Sequence, residues 1–163
     1  MATQGVHLSS YDKSKIKSAK GKKVALVVSS WNAQITQNLQ KGAVKTLVDL
    51  GVESNDVKCF AVPGSFELIF GAKKLCESKY YDAVIVIGSV IKGETAHFDY
   101  VCSAVSQGIK DLNVNQDTPV IFCVLTDNNL QQSLDRSGGK HGNKGVEAAV
   151  TAVEMIHFSD NAW

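Results

Sequence analysis

The segment AVIVIGSVIKGETAHFDYVCSAVSQGI, residues 83–109, passes from a continuous apolar run to an amphipathic one across a short polar joint. The run AVIVIG shows no polar alternation, which is the pattern of a β-strand covered on both faces. Over residues 95–112 the apolar positions recur at helical spacing. The segment therefore reads as strand, loop and helix.

The same unit repeats outward in both directions. Residues 23–29 (KVALVVS), 57–62 (VKCFAV) and 120–126 (VIFCVLT) are further apolar, β-branched runs. Helical spacing covers residues 34–50, with Ile35, Leu39, Val44, Leu47 and Val48 recurring at roughly that period and Gly51 as the stop, and then residues 66–76. This β-α-β-α-β-α-β order predicts an α/β fold in which a parallel sheet lies between helices, joined by right-handed crossovers. Two more helices are expected over 128–136 and 145–158. The SGGKHGNKG loop between them is glycine-rich and basic.

A chain of 163 residues suits one domain. With 17 basic and 16 acidic residues its net charge of +1 provides no global field for nucleic acid or an anionic membrane. Any anion site must be local. Lys13, Lys15, Lys17, Lys20, Lys22 and Lys23 form a basic run in a leading stretch without periodicity. That stretch reads as an arm, either solvated or laid on a partner, and less readily as a nucleic-acid arm. The lack of a signal-peptide pattern or a membrane-length apolar run points to the cytoplasm. Cys59, Cys76, Cys102 and Cys123 are too far apart for a zinc knuckle or redox dithiol, so reduced and mostly buried thiols are expected.

Ligands of open parallel sheets bind beyond the carboxyl ends of the strands. Here those ends read SSWN, PGSFE, GSVIKGETAHF and TDNN. If Thr95 caps the third helix, His97 lies in its first turn, where the helix dipole disfavours the imidazolium and leaves a proton acceptor. The same field attracts anions to the backbone of Gly93, Glu94 and Thr95. A first-turn histidine can equally be a plain surface residue. Trp31 offers a stacking platform for a planar heterocycle or is simply a core or interface tryptophan, and Phe66 has the same ambiguity. Ser65 and Glu67 can hold sugar-like hydroxyls or cap the following helix. The stretch DRSGGKHGNKG fails the Walker pattern and follows a helix where that motif follows a strand. Its Arg136 and Lys144 either reach an anion or form a solvated basic turn.

Five motifs in order, W-N-x-x-I-T (31–36), VPGSFEL (62–68), GSVIKGETAHFDYV (88–101), PVIFCVLT (119–126) and DRSGGKHGNKGVEAA (135–149), resemble those of the lumazine synthase family. The resemblance spans residues from about 22 to 157 and implies a flavodoxin-like three-layer sandwich with a four-stranded parallel sheet. It implies homopentamers, in some members twelve pentamers in a hollow shell, with active sites between adjacent subunits. The family's reaction joins 5-amino-6-(D-ribitylamino)uracil to 3,4-dihydroxy-2-butanone 4-phosphate, without metal or organic cofactor.

Carried onto this chain, Trp31 matches the aromatic stacked on the pyrimidine, and Ser65, Phe66 and Glu67 the segment binding the ribitylaminouracil. Asn32 serves the ribityl chain. Ser89, Val90 and Ile91 match the backbone at the ring's polar edge, Glu94 and Thr95 the phosphate cradle, and His97 the proton-transferring histidine. Phe122 and Arg136 match residues given by the neighbouring subunit, and Lys144 stands in a family-typical position. Glu94 is a departure, since its carboxylate must turn away from an arriving phosphate. The expected organisation is an arm over residues 1–21 laid on a neighbour, a domain over 22–158, and a tail over 159–163, with riboflavin synthase as a compatible partner. Two rivals keep the same pocket: a riboflavin or lumazine binder without chemistry, and a shell subunit.

Overall fold

The computed structural model describes His7 and residues 9–162. The outermost part of the expected arm and the last residue of the expected tail lie outside the described residues.

Four strands, β1 (Val24–Ser29), β2 (Val57–Val62), β3 (Ala83–Ile91) and β4 (Val120–Asp127), form one parallel sheet in the order β2-β1-β3-β4. The intervening helices are α1 (Ala33–Asp49), α2 (Leu68–Glu77) and α3 (His97–Asn115), followed by α4 (Leu130–Arg136) and α5 (Lys144–Asn161). The expected α/β sandwich is therefore the observed one.

Strands β1, β3 and β4 each divide their side chains between two cores, as strand alternation requires. Leu26, Ile85 and Cys123 point to one side and pack with Ile35, Leu39 and Leu47 of α1 and Ala152 and Val153 of α5. Val27, Val86 and Val124 point to the other side and pack with Leu68 and Ala72 of α2 and Val105 and Ile109 of α3. The unbroken apolarity of β1 and β3 follows from this double coverage.

Strand β2 departs from expectation. Its sequence is as apolar as its neighbours', yet it lies at the sheet edge and its middle residues, Phe60 included, are exposed. Composition cannot separate an interior strand from an edge that another surface covers. The thiols follow suit: Cys76 and Cys123 are buried, but Cys102 is half-buried and Cys59 exposed, fewer buried than expected. Burial raises the Cys76 thiol to about 11 and the Cys123 thiol to about 12.

The glycine-rich loop is a small antiparallel hairpin of β5 (Ser137–Gly139) and β6 (Gly142–Asn143), not an open basic turn. Asn143 secures it: Nδ2 donates to the Asn38 carbonyl at 2.9 Å, and Oδ1 accepts the Gly145 N–H at 2.8 Å. Gly145 lets α5 approach α1, because a Cβ there would collide with the Leu39 carbonyl.

Residues 9–22 run along α1 and α5 of the same chain. Tyr11 Oη and Lys13 Nζ both donate to the Asp49 carboxylate, at 2.8 and 2.9 Å, and Ala19 is fully buried. Lys22 bridges Asp160 at 2.9 Å and Asp82 at 3.5 Å, while Lys23 lies over the Tyr80 ring. Much of the basic run is thus matched by local acids or a ring. Among the described residues no helix is long and apolar enough to cross a membrane.

Candidate active site

The chain leaves β1 toward β2 on one flank and later crosses to β3 on the other, so the segments following β1 and β3 diverge at their carboxyl ends. A crevice opens where strand order reverses. It holds a cavity of about 570 Å³. Trp31 and Asn32 follow β1, Gly64 to Glu67 follow β2, and Ser89, Val90 and Ile91 end β3; His97 and Val101 belong to the first turns of α3. Most of the residues singled out in the sequence meet in this one place. Gly64 and Val101 are additions that periodicity could not supply.

Two aromatic rings stand at the cavity and are open to it. Trp31 is 69% exposed and Phe66 55%, so neither is a core residue of this chain. A flat ring entering beside them gains area and stacking at low entropic cost.

Asn32 has a structural task that its sequence did not announce. Its backbone is left-handed (φ 54°, ψ 47°) at the start of α1, a conformation that asparagine tolerates better than most residues. From there Nδ2 donates to the Ser89 carbonyl at 2.9 Å and straps the end of β1 to the end of β3. Ser89 is 3% exposed and its hydroxyl has no hydrogen-bond partner among the described residues. Leaving such a group unpaired costs roughly 1–3 kcal/mol, which an incoming polar atom can offset.

The two alternatives for the PGSFE segment also separate. Glu67 occupies the N-cap of α2 but makes no capping bond, and its carboxylate turns back over Gly64. Ser65 is buried, with its hydroxyl against Gly88 at a spot where a larger residue than glycine would clash. Neither side chain works as a helix cap.

At the start of α3 the cap position falls to Ala96, which has no capping side chain, rather than to Thr95. The Thr95 hydroxyl still accepts the His97 N–H, at 3.4 Å, and His97 is the first helical residue, as the dipole argument requires. Glu94 and Thr95 are exposed beside the cavity without lining it, and the Glu94 carboxylate forms no salt bridge among the described residues.

The remaining predicted residues lie elsewhere. Arg136 and Lys144 line a second recess of about 430 Å³ with Asp127 and Gln132. Arg136 Nη1 donates to the Gln132 carbonyl at 3.1 Å and lies 3.9 Å from Asp127 Oδ1. Lys144 forms an ion pair with Glu147 three residues on. Phe122 stands 37% exposed on the outer strand β4, on the same sheet face as Val120 and Val124. One chain therefore does not bring Phe122, Arg136 or Lys144 to the Trp31 cavity. Asp127 and Glu147 were not singled out beforehand. The Lys144–Glu147 spacing was legible as a helical pair, but the recess was not.

Fold and crevice define a flavodoxin-like α/β protein with a pocket of small-molecule size beyond its strand ends. A family model described as 6,7-dimethyl-8-ribityllumazine synthase matches residues 21–160. Proteins carrying that name are similar over nearly the full chain. The one from Flavobacterium johnsoniae is 57% identical over 99% of this chain and 85% of its own length. That from Christiangramia forsetii is 54% identical over 99% and 97%, and that from Parabacteroides distasonis 52% over 98% and 99%. The chain belongs to the 6,7-dimethyl-8-ribityllumazine synthase family.

Proposed function

We propose that this protein is an enzyme of riboflavin biosynthesis that condenses 5-amino-6-(D-ribitylamino)uracil with 3,4-dihydroxy-2-butanone 4-phosphate to 6,7-dimethyl-8-ribityllumazine. The observation that carries the reading is the meeting of Trp31, the unpartnered Ser89 hydroxyl and His97 in one cavity of a chain from this family. The pyrimidine stacks on Trp31, with Phe66 beside it, and its polar edge meets Ser89, Val90 and Ile91. The ribityl hydroxyls fall to Ser65, Glu67 and Asn32.

The uracil's amine attacks the butanone carbonyl and an imine forms with loss of water. Phosphate is then eliminated, and attack by the ribityl-bearing nitrogen closes the ring with loss of a second water. His97 accepts and returns protons during these steps, a contribution of typically about 10²- to 10⁴-fold. Holding two reactive molecules face to face contributes about 7–11 kcal/mol in favourable cases. Thr95 and the backbone at Glu94 receive the phosphate, with the Glu94 carboxylate turned to solvent.

Arg136, Phe122 and Lys144 enter the cavity of a neighbouring subunit, so the working unit is an oligomer, a pentamer or a shell of twelve pentamers in the cytoplasm. The separation of the Arg136 recess from the Trp31 cavity supports this. So does the exposed β2 edge, whose unpaired backbone invites cover. Residues 22–158 form the catalytic domain, with the arm and tail at its contacts and riboflavin synthase as a compatible partner.

Mixing the protein with both substrates should release inorganic phosphate in step with lumazine fluorescence. Binding of lumazine without turnover would leave a carrier in place of an enzyme. Sedimentation distinguishes pentamer from shell.

A further inference from the structure

We propose that Asp127 is a positioning residue for Arg136, fixing the guanidinium in the orientation that takes the phosphate of the butanone substrate. The inference rests on the reaction proposed above. Asp127 ends β4 and is 7% exposed, and a carboxylate so enclosed needs compensation. Its two oxygens divide the work. Oδ2 accepts the Ser133 hydroxyl at 2.8 Å, with Ser133 fully buried, and Oδ1 faces Arg136 Nη1 at 3.9 Å.

The same Nη1 donates to the Gln132 carbonyl at 3.1 Å. Gln132 is itself held, by its N–H to Asn129 Oδ1 at 3.0 Å and by its Oε1 accepting the Asn128 N–H at 2.9 Å. One edge of the guanidinium is tied to the first turn of α4. Nη2 and Nε have no hydrogen-bond acceptor among the described residues, so the planar fork is left free along the edge that suits a phosphate. Lys144 in the same recess is already matched by Glu147.

The position of Asp127 is fixed from a second side. Its carbonyl accepts the Lys92 N–H at 2.9 Å, so the residue that aims Arg136 also secures the joint leading from β3 toward His97. A purely helix-capping account of Asp127 does not hold, because Asn129 fills the cap of α4 with its own side chain. An asparagine at 127 can still accept from Ser133, so D127N removes chiefly the charge facing Arg136.

The test compares full-length wild type, D127N, R136A and the double variant by steady-state kinetics in both substrates. D127N should raise KM for the butanone phosphate about tenfold, the scale of one charge-assisted contact, with kcat and the ribitylaminouracil KM affected far less. In the R136A background D127N should add nothing. S133A, which frees the carboxylate without removing it, should act in the same direction more weakly, and it serves if D127N does not assemble. An unchanged butanone phosphate KM in both D127N and S133A, equal rises in both KM values, or an undiminished D127N effect in R136A would overturn the positioning role alone. A wild type that forms no lumazine would overturn the proposed reaction and this role with it, whereas an R136A enzyme indifferent to butanone phosphate would overturn the phosphate role of Arg136 and, with it, that of Asp127.

Discussion

The Trp31 cavity and the Arg136 recess both lie beyond strand ends of one sheet, yet they are built from opposite materials. The cavity is walled by exposed rings, a strapped backbone and an unpaired buried hydroxyl, and it holds His97 without a cation. The recess is charged: Asp127 aims Arg136, and Lys144 meets Glu147. In the proposed reaction a ring with polar edges goes to the first and an anion to the second. Condensing an amine with a phosphorylated ketone needs both, which is the ground for proposing that the complete site lies between two copies of the chain.

The most demanding check of that reading is complementation. At subsaturating butanone phosphate, H97A and R136A subunits, each assembled alone, should both be strongly impaired, and co-assembling them from a mixture should recover activity, because some sites then receive both native residues. No recovery would return both functions to a single chain. Within pure H97A assemblies kcat should fall by roughly 10²- to 10⁴-fold without vanishing, since orientation of the substrates survives. A single-turnover rate equal to wild type would remove the proton-transfer role.

Smaller effects sharpen the contrast. R136A should lower kcat/KM for the butanone phosphate by about 10- to 100-fold, the loss of a charged hydrogen-bonding partner. Trp31→Ala should instead weaken the ribitylaminouracil by about 3- to 10-fold, the scale of one aromatic pairing, with the phosphate substrate less affected. Kinetics in each substrate separate the two.

The smallest expected effect lies away from both regions. Hydrogen bonds from Lys13 and Tyr11 hold the Asp49 carboxyl below its ordinary 3.8. A depressed folded value means that the contribution to stability is full above 3.8 and fades as pH falls through the lower folded value. Residues 9–16 should therefore exchange amide hydrogens faster in that acid range, while β3 stays protected. Arm exchange independent of pH there would dismiss the Asp49 clamp.

Much of this was readable along the chain. The strand at residues 57–62 is the observed β2, and the helix expected over 34–50 is α1 to within a residue at each end. The residues at strand ends, Trp31, Ser65 and His97 among them, were identified by type and position, and they do meet. What escaped has a common cause. Asn32 bonded to Ser89, Asp127 bonded to Ser133, and the hairpin secured by Asn143 depend on which segments lie side by side. A run such as VKCFAV reads the same at an edge as in the middle.

By itself the amino-acid order determined the parallel α/β plan, the stations of the strand-end residues and the kinship with this family, because apolar period and motif spacing are properties of neighbouring residues. Tertiary structure alone decided that β2 is an edge, that His97 and Arg136 do not meet within one chain, and that Asp127 stands behind the guanidinium. Those outcomes follow from sheet order, from crossover geometry and from how the chain turns after β4, none of which leaves a periodic trace.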